Sequence, residues 1–220
     1  MKFIGFYNYT VILTYISLIS GIVGIHCAFE YNMTAAICCL ILSGVCDMFD
    51  GVVARSKKDR TEDEKNFGIQ LDSLCDVICF GVFPAIIVFF KGVDNVLGIA
   101  ILTLYVLCAV IRLSFFNILE TKRQKSETGC AKFYRGLPVT SSAIIFPFVH
   151  IIEPLFKNVS TEVYYALTFV TAILFIFDLR IPKLDIANIL CKLTVKKTRE
   201  NTESDCCENK PILENSINNR

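Results

Sequence analysis

The sequence predicts an all-α integral membrane protein, a bundle of about six transmembrane helices with both termini on the cytoplasmic side. Three observations predict it. Hydrophobic residues make up 54% of the 220 positions, 18 of them Phe, which is too apolar for a soluble domain of this length. The apolar residues gather into stretches of about 20, the length a helix needs to cross a hydrocarbon core of roughly 30 Å. The basic residues collect in alternate connectors, as the positive-inside rule requires.

The six stretches are 10–29, 33–53, 71–90, 95–117, 138–156 and 161–178. The first is too long for the apolar core of a signal peptide and is followed by more like it, so it is read as a span. Phe3, Phe6, Tyr7 and Tyr9 precede it, where aromatic side chains suit the headgroup layer. The second ends in acids and the third opens with them. The fourth carries Arg112 close to its end. Pro147 and Glu153 interrupt the fifth, whose strongly apolar part is short, so a re-entrant segment is the alternative there.

Sidedness follows from the connectors. Residues 54–70 (Arg55, Lys57, Lys58, Arg60, Lys65) and 118–137 (Lys122, Arg123, Lys125, Lys132, Arg135) carry five basic residues each, whereas the intervening turns carry only Lys91 and Lys157. Arg180, Lys183, Lys192, Lys196, Lys197 and Arg199 follow the sixth span. Residues 1–182 therefore read as a membrane-embedded domain and 183–220 as a polar cytoplasmic tail, expected to be disordered and dispensable for chemistry.

Lys and Arg number 22 against 21 Asp and Glu, so net charge gives no argument for nucleic acid, and no such partner is expected. The eleven cysteines mostly fall within or beside apolar stretches and read as small buried hydrophobes. The adjacent pairs Cys38-Cys39 and Cys206-Cys207 lack the two-residue spacer of zinc thiolate sites, and no metal is assigned to them.

The acids are the chemical signal. Carboxylates at membrane depth cost several kcal/mol and mark function by default. Asp47 and Asp50 lie three apart in SGVCDMFDGVVAR, and Asp72 and Asp76 four apart in GIQLDSLCDVICFG, so each pair shares one helix face. If the two helices are antiparallel neighbours, all four carboxylates converge near the cytoplasmic end. Desolvation and mutual repulsion oppose their joint ionisation, and divalent cations relieve both. An all-oxygen set with no His nearby suits Mg²⁺ or Mn²⁺ rather than zinc. Gly51, Ala54 and Gly68 beside the acids leave room for a bulky polar ligand, although glycines also serve tight helix packing. An ion-binding carrier is the reading from another class. It would need acids spread through the spans or an internal repeat, and the sequence has neither; transporters place such groups near the midplane, whereas these four lie toward one end.

Together, Asp47-x2-Asp50-Gly51-x2-Ala54-Arg55 and Gly68-x3-Asp72-x3-Asp76 resemble the signature of the CDP-alcohol phosphatidyltransferase family. Twelve residues separate Arg55 from Gly68, a longer interval than the family pattern usually has. The stretch from Leu71 to Ala85 is similar to the phosphatidylserine synthase branch, as are Arg112-Leu113 with Phe116-Asn117, and Gly136-Leu137-Pro138. Thr14-x6-Gly21 resembles the first-span pattern, with Ser17 where Asn is usual, and Tyr134 stands where Phe is usual.

The resemblance implies transfer of a phosphatidyl group from CDP-diacylglycerol to L-serine, giving phosphatidylserine and CMP. Glycerol 3-phosphate, inositol or its phosphate, and choline are the alternative acceptors. It implies two Mg²⁺ or Mn²⁺ ions held by Asp47, Asp50 and Asp72, with Asp76 shared between a second metal site and the general-base role. Thr14, Gly51, Ala54, Arg55 and Gly68 would line the cytidine-diphosphate pocket. Arg112 suits the serine carboxylate or a cluster acid, and Asn117, Tyr134 and Arg135 are further acceptor candidates. The sidedness of the connectors puts the active site at the cytoplasmic face, and a homodimer is a family expectation.

Overall fold

The computed structural model describes residues 5–57, 59, 61–125, 133–135, 137–154, 161–178 and 180–182. Met1–Ile181 form one compact unit, and of the remainder, Pro182–Arg220, only Pro182 is described. The predicted tail at 183–220 thus lies outside the described residues.

The elements run from a 3₁₀ turn, Tyr9–Val11, through α1 (Ile12–Phe29), α2 (Met33–Ser56) and α3 (Glu62–Asp76). A π-helical turn, Val77–Val82, then joins α3 to α4 (Phe83–Phe90). There follow α5 (Val96–Lys125), β1 (Phe133–Arg135), α6 (Ser142–Ile152, preceded by the 3₁₀ turn Val139–Ser141), α7 (Thr161–Ile176) and β2 (Arg180–Pro182). Apart from the paired three-residue strands β1 and β2, these elements are helical.

Among the described residues, four helical stretches are long and apolar enough to span a membrane: Tyr9–Phe29, Met33–Ala54, Glu62–Phe90 and Val96–Leu119. Val139–Ile152 and Thr161–Ile176, in the regions of the fifth and sixth expected spans, are apolar but shorter. Large apolar side chains such as Ile19, Ile22, Val96, Ile144, Phe148 and Ile151 point outward, which only a hydrocarbon solvent tolerates on this scale. The chain is an integral membrane protein.

Three boundaries differ from the sequence reading. The third helix starts at Glu62 rather than 71, because a capping box begins it inside the expected connector: the Thr61 hydroxyl accepts the Glu64 N–H at 3.2 Å, and Glu64 Oε2 accepts the Thr61 N–H at 3.3 Å. The fourth helix continues past 117 to Lys125 through residues that favour helix and contain no breaker. In the fifth, Pro147 stays inside the helix, while Glu153 falls just beyond its end. There Glu153 Oε2 lies 2.6 Å from Lys91 Nζ and accepts the Tyr164 hydroxyl at 3.0 Å, which ties the ends of α4, α6 and α7 together.

The core gathers Ala28, Leu40, Phe80, Phe83, Val88, Tyr105, Phe146 and Phe175, contributed by every long helix except α3. Helix α1 packs along α2 and also meets α3, α4 and the π-helical turn; α5 packs on α7, and α2 on α6. Two glycines make the closest approaches possible. A Cβ at Gly24 would strike the Phe83 ring and come within 2.8 Å of Cys39 Cβ, and one at Gly44 would come within 2.6 Å of Ala143 Cβ. Small residues are how membrane helices gain van der Waals contact without a hydrophobic driving force between them. Cys46, Cys75, Cys79 and Cys108 are buried, as expected of small hydrophobes, whereas Cys38 is exposed.

Candidate active site

Two helices of opposite direction bring the four acids together. On α2, Asp47 and Asp50 occupy one face near the C-terminal end, and on α3, Asp72 and Asp76 occupy one face near the end that feeds the π-helical turn. Asp50 and Asp72 are in carboxyl–carboxyl contact, as are Asp47 and Asp76. The pairing order is that of antiparallel neighbours, in which the acid deeper on one helix meets the acid deeper on the other.

Asp47, Asp50 and Asp72 each offer a carboxylate oxygen, and these atoms lie within 4.8 Å of one another. Asp76, at 8% exposure, sits beside this triad, against Asp47. The environment fits a cation. Asp72 Oδ1 is buried with no hydrogen-bond partner, an orphaned acceptor of a kind proteins rarely leave without an ion or a donor. The donors are all oxygen, the preference of hard divalent cations.

The first helix supports this cluster through hydroxyls. Thr14, buried on α1, donates to Asp50 Oδ2 at 3.3 Å. One turn on, the Ser17 and Ser43 hydroxyls lie 2.6 Å apart, and Ser20 donates to the Cys39 carbonyl at 2.9 Å. A ladder of small polar groups thus fixes α1 against α2 from Cys39 to Asp50. Ser17, where the resemblance would place Asn, spends its hydroxyl on this ladder and on Cys79 Sγ at 3.8 Å.

Helix α5 meets α3 beside the cluster. Arg112 is only 7% exposed, its guanidinium lies 5.6 Å from the centre of the Phe116 ring, and its Nε is buried without a hydrogen-bond partner. Asn117 Oδ1 accepts the Ser73 hydroxyl at 2.7 Å, which links α5 to the residue after Asp72. Sequence reasoning passed over Ser73; its signal was a polar side chain flanked by Asp72 and Leu74 within the acid motif.

Gly51 and Ala54 lie on the last turns of α2, and Gly68 lies on α3 one turn before Asp72, all inside helices rather than in turns. Arg55 is the penultimate residue of α2, and Tyr134 and Arg135 form part of β1, but their side chains lie outside the described residues. Gly136 lies outside them altogether. The sequence-predicted residues brought together by described contacts are therefore Asp47, Asp50, Asp72, Asp76 and Thr14.

The model of the family described as CDP-alcohol phosphatidyltransferase matches residues 7–179. Among curated proteins, the chain is 37% identical over 134 residues to archaetidylserine synthase of Methanothermobacter thermautotrophicus, covering 60% of this chain and 53% of that one. It is 36% identical over 124 residues to CDP-diacylglycerol--serine O-phosphatidyltransferase of Saccharomyces cerevisiae, covering 54% and 44%. To the Helicobacter pylori (strain ATCC 700392 / 26695) protein of the same name it is 33% identical over 141 residues, covering 63% and 55%. The chain spans about half the length of the curated relatives it matches. No solved structure matches it.

Proposed function

The chain belongs to the CDP-alcohol phosphatidyltransferase family, and on that premise we propose that it transfers a phosphatidyl group from CDP-diacylglycerol to L-serine, releasing CMP. The observation that carries the proposal is the convergence of Asp47, Asp50 and Asp72 within 4.8 Å, with Asp76 against Asp47. The names of the relatives support serine as the acceptor, because by its printed name each of the three makes a seryl lipid or transfers a phosphatidyl group to serine.

Asp47, Asp50 and Asp72 would hold Mg²⁺ or Mn²⁺, two ions with Asp76 shared. Bound there, these ions would neutralise the diphosphate and the departing CMP. The work of the chain itself is positioning and proton transfer. Asp76 accepts the proton of the serine hydroxyl as that oxygen attacks the β-phosphorus and the bond to the bridging oxygen breaks. The electron pair of that bond leaves with CMP. Thr14 holds Asp50 in place, and Gly51, Ala54 and Gly68 leave a lane for the nucleotide between α2 and α3, with Arg55 at its rim.

Arg112 is the natural partner for the serine carboxylate. A buried guanidinium with an unsatisfied Nε is costly until an anion reaches it. Asn117, fixed by Ser73, and Tyr134 and Arg135 complete the acceptor side of the reading. Six spans, both termini and the active site on the cytoplasmic face, a polar cytoplasmic tail at 183–220 and a homodimeric state belong to the same proposal, supported by the basic connectors and the family match.

The acceptor is tested by CMP release from CDP-diacylglycerol by purified protein with Mn²⁺, comparing serine, glycerol 3-phosphate, inositol and choline. Serine is expected to sustain release and to yield phosphatidylserine. Release with another alcohol and none with serine would remove the acceptor assignment and leave family membership standing.

A further inference from the structure

The third span is not one continuous α-helix. Directly after Asp76 the helix widens into the π-helical turn Val77–Val82, in which the Phe83 N–H reaches back five residues to the Ile78 carbonyl. A chemical reason lies two residues beyond the turn. In a regular α-helix the Phe80 carbonyl would accept from residue 84, which is proline and has no N–H.

The Phe80 carbonyl has partners from elsewhere. The Tyr105 hydroxyl on α5 donates to it at 2.8 Å, and the Ser142 hydroxyl at the start of α6, which shares its one proton with the Val139 carbonyl at 2.7 Å, reaches it at 3.2 Å. Phe80, Tyr105 and Ser142 are all 0% exposed. Cys79, in the same turn, donates its thiol to the Ser17 carbonyl of α1 at 3.5 Å. Three separate helices thus reach into the one turn that connects the acid-bearing α3 to the apolar α4. A buried tyrosine hydroxyl directed at a backbone carbonyl of another helix is poorly explained by packing alone, since phenylalanine would fill the same volume.

We propose that Tyr105 and Ser142 are positioning residues for the acid cluster: by binding the Phe80 carbonyl they hold the widened turn, and the turn fixes the direction in which Asp76 and Asp72 leave the third span. Each residue of helix advances the side-chain direction by about 100°, so a change of register between α3 and α4 would swing the acids away from Asp47 and Asp50. π-turns inside α-helices gather at functional sites, where they set side-chain direction at some cost in helix regularity. The inference deepens the proposed function and rests on its reading of the acids as cation ligands.

The test is Mn²⁺ affinity, read from the spectrum of free Mn²⁺ by electron paramagnetic resonance, in the full chain purified in detergent. The variants are Tyr105→Phe, Ser142→Ala and the two together, with Thr168→Val as control, since the Thr168 hydroxyl is buried on α7 without a partner. The double variant is expected to weaken Mn²⁺ binding by about tenfold or more, the usual effect of removing support behind metal ligands. Thr168→Val is expected to bind as the unaltered chain does, and the half-saturating Mn²⁺ for CMP release is expected to rise in parallel with the loss of affinity. If the double variant fails to fold, Tyr105→Phe decides, because it keeps the ring and the Ser142 bond and is expected to weaken Mn²⁺ binding by a smaller factor. A folded Tyr105→Phe and double variant with unaltered Mn²⁺ affinity would overturn the positioning role alone. An unaltered chain that binds no Mn²⁺ would overturn the cation reading as well.

Discussion

Asp76→Asn is expected to abolish phosphatidyl transfer while leaving the protein folded. The side chain is 8% exposed and lies where α3 meets the π-helical turn, against Asp47. Asparagine keeps its shape and removes one charge from a crowded group of carboxylates, so the change relieves repulsion instead of opening a cavity. What it removes is a proton acceptor and a ligand atom. Loss of a general base alone costs about 10²–10⁴-fold, and loss of a shared ligand adds to that. CMP release sets the outcome, with thermal unfolding in detergent as the check on folding. Retained turnover in a folded Asp76→Asn protein would remove the base assignment and return Asp76 to a structural role.

The second large effect is expected at Arg112. Among the described residues its guanidinium forms no ion pair, its Nε has no hydrogen-bond partner, and its neighbour is the Phe116 ring. Replacing a buried, unpaired charge by an apolar residue of similar reach is neutral or stabilising, so Arg112→Met should melt no lower than the unaltered chain without substrate. A charge-assisted hydrogen bond to the acceptor carboxylate is worth about 1.5–3 kcal/mol, so kcat/KM for serine should fall by about tenfold to a hundredfold. The loss should appear mainly in the KM for serine. An unchanged KM together with a lower melting temperature would instead make Arg112 a structural residue.

Much of this was legible in the chain because the bilayer makes sequence explicit. A charged side chain in an apolar run has no inexpensive explanation, so Asp47, Asp50, Asp72 and Asp76 stood out, and their spacing gave their faces. Their meeting shows in the contacts of Asp50 with Asp72 and of Asp47 with Asp76. The less legible features depend on partners distant in sequence or on single hydrogen-bonding groups. The capping box of Thr61 and Glu64 lay in what looked like a solvated connector, and it carries the third helix well before its apolar part. Pro84 announced a missing donor, but nothing local announced that Tyr105 and Ser142 would replace it from 21 and 58 positions away. Ser73 looked like a spacer between acids until α5 brought Asn117 to it. Glu153 looked like an interruption of the fifth apolar stretch and proves to be its terminus, paired with Lys91.

The central claim is that the acid cluster, loaded with a divalent cation, moves a phosphatidyl group. Its most direct test is CMP release by the purified chain supplied with CDP-diacylglycerol and serine, before and after chelation of divalent metal and again on readdition of Mn²⁺, with the lipid product identified by mass. The account predicts release that stops on chelation, returns with Mn²⁺ and yields one phosphatidylserine for each CMP. Release that persists through exhaustive chelation, or CMP formed without any phosphatidylated alcohol, would contradict it.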